Sequence, residues 1–228
     1  MLVAEARWFA KQIDGLRQQT ALFPMLNLGS HTEVFRRREQ PWIDREIFAP
    51  LRRRGEVVVH ADIQNALGID LVGDLLDPSF FHRVKSMGFR SLLCSNLLEH
   101  VQERAAFCAA AAGILEPGAR LLLSVPYRFP YHPDPIDTRY RPTPLELAAA
   151  FPNTALREHA ILRCGTYAHY VGAKLVSDPM ALGRNVTRRL RGQTEARMAD
   201  RGEAVWPWLL KPVLVSCAVL EKLPGSMQ

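Results

Sequence analysis

The sequence of 228 residues lacks an apolar run long enough to span a membrane. A transmembrane helix needs roughly 20 consecutive apolar residues, and the two longest apolar stretches, residues 105–115 and 213–220, are too short or are interrupted by polar side chains. The N-terminal residues also lack the uncharged core of an export signal, because they contain Glu5, Arg7, Lys11 and Asp14. These absences predict a cytoplasmic chain without a membrane span.

Closely spaced cysteine pairs are also missing. The four cysteines form no Cys-x-x-Cys pair and mostly lie in apolar segments; they are Cys94, Cys108, Cys164 and Cys217. This spacing favours buried, reduced thiols over a disulfide framework or a zinc site, so we expect no metal centre. The chain has no repeat and no low-complexity linker either, which favours a single domain over residues 1–228.

Positive charge exceeds negative charge, and arginine carries the excess. The formal net charge is +6, and arginines cluster in residues 36–38, 52–54 and 184–201. Such clusters occur in nucleic-acid-binding proteins, but here they lie in helix-like segments without the interleaved aromatic residues of a base-stacking surface. We favour solvated helix faces as the interpretation, with nucleic-acid binding as the alternative.

Apolar runs alternate with helix-like segments along most of the chain. An amphipathic helix is predicted over residues 2–19, within an N-terminal segment of residues 1–20. Strand-like runs follow at residues 23–28, 57–60, 69–72, 91–94 and 120–125, and helical stretches at 43–54, 80–87, 97–115 and 144–151. Strands that are apolar on both faces and alternate with helices are typical of a parallel sheet covered on both sides. The sequence therefore predicts a doubly wound α/β fold.

Small and acidic residues follow the predicted strands. They are, in chain order, Gly29, Ser30, Asp62, Asp74, Leu75 and Asn96. Doubly wound sheets bind ligands at the carboxyl ends of their strands, and nucleotide sites place there a carboxylate that accepts the ribose hydroxyls. Each residue also has a simpler explanation, such as a turn for Gly29 or a helix cap for Asp62. Only their order along the chain points to a ligand site.

These segments, taken in order, resemble the class I S-adenosylmethionine-dependent methyltransferases, in particular the broad group labelled type 11. The resemblance covers residues 23–151, and the matching segments read LNLGS, VVHADI, IDLVGDLLD, LLCSNLLEHV, ILEPGARLLLSVPY and HPDPIDTRYRPTPLEL. Its most specific part is residues 92–127. The resemblance implies S-adenosylmethionine as the cofactor and methyl transfer to a small-molecule or glycan-like acceptor, at oxygen or nitrogen.

For the fold, the resemblance implies a seven-stranded, mostly parallel sheet with helices on both faces and an antiparallel last strand. The cofactor-binding core would be residues 23–151, followed by a C-terminal part, residues 152–228, in which 155–163 and 212–222 fit the last two strands. A helical, arginine-rich insertion over residues 178–201 lies between these strands. This insertion and the N-terminal helix are expected to shape the acceptor pocket.

The resemblance also implies contacts between individual residues and the cofactor. Gly29 and Ser30 would lie under its methionine part, Asp62 would hold the ribose, Asp74 and Leu75 would lie beside the adenine, and Asn96 near the sulfonium. The sequence departs from the family at His31, which stands where the loop commonly has a second glycine. Glycine lets a ligand approach the backbone closely, so the histidine side chain must point away or occupy part of the site.

The loop after the fifth strand is expected to face the acceptor. Its candidate pocket residues are Tyr127, Tyr131 and His132. His132 is also the candidate catalytic residue, because an imidazole with a pKa near neutrality can deprotonate an acceptor hydroxyl. The alternative is that this segment orders a tight loop through carboxylate–guanidinium pairs, with Asp134 and Asp137 facing Arg139 and Arg141.

Two other functions stay open. A catalytically inactive protein of the same fold, acting as a binding or scaffolding subunit, is suggested by His31 and by the added N-terminal helix. Methylation of nucleic acid is suggested only by the arginine clusters, and the segment after the fourth strand reads SNLLEH rather than the Asn/Asp-Pro-Pro-Tyr/Phe of many amino-methylating enzymes of nucleic acids. The sequence identifies neither the acceptor nor the oligomeric state.

Overall fold

The fold is built on a sheet of seven strands. The structure is a computed structural model, and it describes residues 1–132, 136–166, 168–169, 172 and 209–224. The strands are β1 (Met25–Leu28), β2 (Val58–Asp62), β3 (Leu71–Val72), β4 (Ser91–Ser95), β5 (Arg120–Arg128), β6 (Thr154–Thr166) and β7 (Pro212–Lys222). The predicted insertion over residues 178–201 and the predicted loop residue Asp134 lie outside the described residues.

Helices connect most of the strands. They are α1 (Val3–Leu16), α2 (Pro41–Ile43), α3 (Ala49–Arg53), α4 (Pro78–Ser86), α5 (Arg104–Gly113) and α6 (Pro144–Ala149). Two segments with wider, π-type turns, Phe35–Glu39 and Asp44–Phe48, flank α2, and a tighter 3₁₀ turn, Leu98–His100, follows β4.

The strand order confirms the predicted fold class. It runs β3-β2-β1-β4-β5-β7-β6 across the sheet. Neighbouring strands from β3 to β5 pair in parallel, whereas β7 is antiparallel to both β5 and β6, as predicted for the last strand. The order reverses between β1 and β4, and such a reversal is where doubly wound sheets bind their ligands.

Alternating side chains of the central strands pack into two cores, one on each face of the sheet. On β4, Leu92 contributes to the core formed with α4, α5 and α6, whereas Leu93 contributes to the core formed with α1, α2 and α3. On β5, Leu121 and Leu122 divide in the same way. Because both faces are covered, β1 is buried along its whole length.

Two of the predicted helices are interrupted. The helix expected over residues 43–54 contains the π-type segment Asp44–Phe48, which precedes Pro50; proline lacks the N–H that a regular turn would use. The helix expected over residues 97–115 is divided into Leu98–His100 and α5, because Val101 is extended between them. The helical conformation after β4 is therefore broken at Val101 before α5 begins at Arg104.

The described residues test the predicted burial of the cysteines and the predicted lack of a membrane-spanning helix. Cys94, Cys108 and Cys217 are buried and Cys164 is partly buried, each as a free thiol, so the prediction of buried thiols is confirmed for three of the four. Within the described ranges, every helix is too short or too polar to cross a membrane.

Candidate functional site

The turn after β1 depends on a glycine at position 29. Gly29 has φ +69°, in the left-handed region that favours glycine. A Cβ atom there would also lie 2.7 Å from Cδ2 of Leu97, a side chain that follows β4. Gly29 thus lets the end of β1 and the segment after β4 approach each other at the point where the strand order reverses.

His31 faces the start of the following helical segment. Its Nδ1 accepts the N–H of Thr32 at 2.8 Å, and its ring stacks on Phe35 with ring centroids 4.0 Å apart. The backbone N–H of His31 donates to Oδ2 of Asp62 at 2.8 Å, and the N–H of Gln64 donates to Oδ1 at 3.1 Å. The Asp62 carboxylate therefore joins the ends of β1 and β2.

Arg37 and Arg38 of the first arginine cluster are exposed, as predicted for a solvated face, but Arg36 is an exception. It is 5% exposed, and burial lowers the pKa of its guanidinium. Nη1 donates to the carbonyl oxygens of Ser30, at 3.1 Å, and His31, and Nη2 donates to the carbonyl of Gly68 at 2.6 Å. Arg36 thus fixes the backbone of the turn that carries Ser30 and His31.

Asp74 and Leu75, the two residues predicted to lie beside the adenine, both follow β3 but differ in exposure. Asp74 is exposed, and its Oδ1 accepts the N–H of Leu76 at 2.9 Å. Leu75 is 2% exposed and belongs to the core on the side of α4. Both positions follow the edge strand of the sheet, and their contact with an adenine ring stays a prediction.

Glu5 of α1 forms a buried polar cluster with the ends of β4 and β5. Glu5 is fully buried. Its carboxylate oxygens accept from the hydroxyls of Ser95, at 2.8 Å, and Ser124. They also accept from Nδ2 of Asn96 at 3.0 Å and from the N–H of Leu2 at 2.9 Å. The N-terminal helix therefore contributes a carboxylate to the same edge of the sheet.

Asn96 is strained and incompletely bonded. It has φ +49°, an uncommon conformation for a residue other than glycine. Its Nδ2 faces Glu5, whereas its Oδ1 is buried and has no hydrogen-bond partner among the described residues. Strained residues and unpaired buried polar atoms are typical of ligand sites.

The loop after β5 contains the predicted acceptor residues. The register between β5 and β7 shifts between Pro126 and Arg128, which leaves Tyr127 as the extra residue of a bulge. Bulges often redirect a side chain next to a functional site. Tyr131, four residues further on, has the guanidinium of Arg139 5.1 Å from the centre of its ring.

Asp137 organises this loop, which confirms the carboxylate–guanidinium alternative for one of the two aspartates. Nη2 of Arg141 donates to its Oδ2 at 2.7 Å, and the N–H groups of His132 and Arg139 donate to its oxygens at 3.1 and 2.8 Å. Burial opposes ionisation of Asp137, but these bonds outweigh it and lower the pKa of its carboxyl. The role of His132 as a general base stays a prediction.

Three residues of this edge were not predicted from the sequence: Glu5, Arg36 and Glu99. The burial of Glu5 could have been predicted from helical periodicity, because Glu5 lies one residue before Ala6 and four before Phe9, on the apolar face of the helix. Glu99 is buried beside Leu98, inside a segment that was expected to be helical. Nothing in the sequence separates Arg36 from the two arginines that follow it.

Partial burial of His60, on β2, predicts a pH-dependent loss of stability. Its Nδ1 lies 2.9 Å from Nδ2 of Asn27, and its ring packs edge-on against Phe48. Burial of the imidazole lowers the pKa of His60 to about 4, whereas an unfolded histidine has a pKa of about 6.5. The surrounding charged groups are Arg36, Asp70, Arg52 and Asp44.

A depressed pKa in the folded state means that the unfolded chain binds the proton more tightly. The stabilisation from neutral His60 is complete above pH ~6.5 and is lost as the pH falls toward ~4. Between pH ~7 and pH ~5 the unfolding free energy of wild type should fall by on the order of 2 kcal/mol more than that of His60→Gln. Urea unfolding at the two pH values measures this difference. His159→Gln, at an exposed position on β6, is the control and should fall in parallel with wild type; an equal fall in His60→Gln would contradict the prediction.

Comparisons with known proteins support the fold. No protein-family model matches the sequence, and no curated protein matches it. Similar solved structures include a candidate sarcosine dimethylglycine methyltransferase from Galdieria sulphuraria, with TM-score 0.56, 11% identity, and 96% of this chain and 85% of that chain covered. The [4+2]-cyclase SpnF has TM-score 0.56, 10% identity, and coverage of 95% and 82%.

A third similar structure is coclaurine N-methyltransferase bound to N-methylheliamine and SAH, with TM-score 0.56, 12% identity, and coverage of 95% and 70%. These similarities confirm the Rossmann-like methyltransferase fold that the sequence predicted. At such identities they show the fold alone, and because one of these proteins is named a cyclase, function has to be argued from the site.

Proposed function

We propose that this chain is an S-adenosylmethionine-dependent methyltransferase that transfers a methyl group to a small-molecule or glycan-like acceptor, at oxygen or nitrogen. The observation that carries the proposal is a pair of acceptor groups on either side of the end of β1. They are the Asp62 carboxylate after β2 and the unpaired amide oxygen of Asn96 after β4. The site between them is where doubly wound sheets bind nucleotide-like ligands.

The residues present fit this cofactor. Asn96 Oδ1 suits the ammonium group of the methionine part, because a buried acceptor without a donor costs roughly 1–3 kcal/mol. Each oxygen of Asp62 accepts one backbone N–H and keeps lone-pair capacity for a ribose hydroxyl. The other proposed contacts are Gly29, Ser30, Asp74 and Leu75.

Methyl transfer requires the protein mainly to position the acceptor. Bound S-adenosylmethionine supplies a methyl group that the positive sulfonium already activates. The chain has to orient the acceptor and exclude water, and we assign this role to the loop with Tyr127, Tyr131 and His132. Asp137 accepts from Arg141 and from the N–H of His132, which links described residues on the two sides of residues 133–135.

Three arginines of the first two clusters give little support to a nucleic-acid acceptor. Arg36 is buried against backbone carbonyls. Arg52 pairs with Asp44 at 2.7 Å, and Arg54 pairs with Asp14 at 2.6 Å. These carboxylates offset the positive charge that phosphates would need, so a small acceptor is the better proposal.

Methyl transfer can be tested without knowing the acceptor. The purified protein is incubated with methyl-labelled S-adenosylmethionine and a pool of small metabolites, and low-mass products are counted. We expect label in products that appear with wild type and are strongly reduced with Asp62→Ala. Asp14→Ala, which removes a surface carboxylate paired with Arg54, is the control and should retain full transfer.

The outcomes separate the competing functions. Label in nucleic acid but not in small molecules would show that the acceptor is a nucleic acid. Cofactor binding without transfer to any pool would favour the catalytically inactive protein of this fold. Absence of binding would show that the chain does not use S-adenosylmethionine.

A further inference from the structure

The carboxylate of Glu99 is buried in the turn after β4. Its side chain is 0% exposed, and neither oxygen has a hydrogen-bond partner among the described residues. Buried carboxylates are normally paired or bound to a metal, so this carboxylate needs an explanation that its contacts do not supply.

Two imidazoles face the carboxylate. Nε2 of His100 lies 3.7 Å and Nε2 of His132 lies 3.9 Å from Glu99 Oε1. The three ligand atoms are all within 4.8 Å of one another. These separations are too long for hydrogen bonds, so the three side chains converge without satisfying one another.

The second ring nitrogen of each histidine is held by the backbone. Nδ1 of His100 contacts the carbonyl oxygen of Ile136, and Nδ1 of His132 lies 3.1 Å from the carbonyl oxygen of Pro130. A carbonyl oxygen accepts only from a protonated nitrogen, which leaves the lone pair of a neutral imidazole on Nε2. Metal-binding histidines commonly have this arrangement. Nδ1 of His132 is also 3.3 Å from Asp137 Oδ2.

We propose that Glu99, His100 and His132 bind one divalent transition-metal ion, such as Zn²⁺ or Co²⁺. One carboxylate and two imidazoles are a familiar ligand set for such ions, and three protein ligands leave coordination positions open. With metal–ligand bonds of roughly 2.0–2.2 Å, neighbouring ligand atoms lie about 3.0–3.5 Å apart. The two separations from Glu99 would have to close by a few tenths of an ångström, and that between the imidazole nitrogens, which is at most 4.8 Å, by up to about 1.5 Å.

The fold brings these ligands together from two segments. Glu99 and His100 are consecutive in the 3₁₀ turn after β4, and His132 lies on the loop after the neighbouring strand β5. This site departs from the sequence-based expectation of no metal. It also replaces the base role of His132, because an Nε2 that binds a metal cannot accept a proton.

The site lies at the edge of the sheet that we assign to the acceptor. An open coordination position there would bind and orient an acceptor oxygen; this second step rests on the proposed function. Metal binding by the three side chains does not depend on it.

The test is a calorimetric titration of the full-length protein, stripped with a chelator, with Zn²⁺ and with Co²⁺, whose absorption also reports its coordination. We expect one equivalent to bind, and Glu99→Gln to weaken binding by more than the 10- to 100-fold loss of an outer-shell partner. Glu99→Gln removes one charged ligand atom with little change in shape, and its unfolding curve verifies that the variant is folded.

The chain offers a matched control. Glu158 and His159 are also adjacent, but both are exposed on β6, and Glu158→Gln and His159→Gln should bind metal as wild type does. Equal binding by wild type and Glu99→Gln, or no stoichiometric binding by wild type, would overturn the metal site. Binding of S-adenosylhomocysteine by Glu99→Gln is measured in parallel, so that failure of the metal site and failure of the cofactor site are distinguished.

Discussion

Asp62→Ala is expected to weaken binding of S-adenosylhomocysteine by roughly ten- to a hundredfold. The carboxylate is the proposed acceptor for the ribose hydroxyls, and leaving polar partners unpaired costs on the order of 1–3 kcal/mol. The substitution also releases the His31 N–H, which loosens the turn that would lie under the methionine part. Isothermal calorimetry with wild type and variant measures the change.

A neighbouring aspartate provides the control for Asp62. Oδ2 of Asp70 accepts the N–H of His60 at 2.8 Å, so Asp70→Ala also removes a carboxylate that binds the backbone of β2. Asp70→Ala should leave the affinity for S-adenosylhomocysteine within about twofold of wild type. Equal affinities for Asp62→Ala and wild type would show that Asp62 does not hold the ligand.

Glu5→Ala is expected to lower the unfolding free energy by about 2–4 kcal/mol. The substitution leaves four donors without their carboxylate at a fully buried position; they belong to Leu2, Ser95, Asn96 and Ser124. An unpaired buried donor costs roughly 1–3 kcal/mol, although Ser95 and Ser124 can still bond to each other. Urea unfolding gives the difference.

The matched comparisons separate the loss of hydrogen bonds from the loss of a side chain. Glu5→Gln keeps one oxygen for the donors and should cost clearly less than Glu5→Ala. Glu158→Ala, on the exposed face of β6, should change stability by less than about 0.5 kcal/mol. A Glu5→Ala protein as stable as the Glu158→Ala protein would mean that the buried cluster does not hold α1 in place.

Most of the fold could be predicted because it follows from local patterns. Residues 91–94 and 120–125 are short apolar runs separated by a helix, and they form β4 and β5 side by side. The last strand was instead predicted from the family resemblance, and the structure confirms its bounds, residues 212–222. The interruptions could not be predicted from apolar spacing, since they depend on Pro50 and on the extended residue Val101.

The positions of the site could be predicted, but their contacts could not. The rule that ligands bind at strand ends selects Gly29, Asp62 and Asn96, and the structure brings these residues to one edge. Glu5 reaches Ser124 across 119 residues of sequence, and such a contact follows only from the packing of α1 on the sheet. In the same way, the convergence of Glu99 with His132 depends on β4 and β5 being neighbours.

A calorimetric titration of the wild-type protein with S-adenosylhomocysteine tests the proposed cofactor site directly. We expect saturable binding of one ligand per chain, with a rise in the melting temperature at the same ligand concentrations. No heat and no thermal shift at millimolar ligand would contradict the proposed cofactor site.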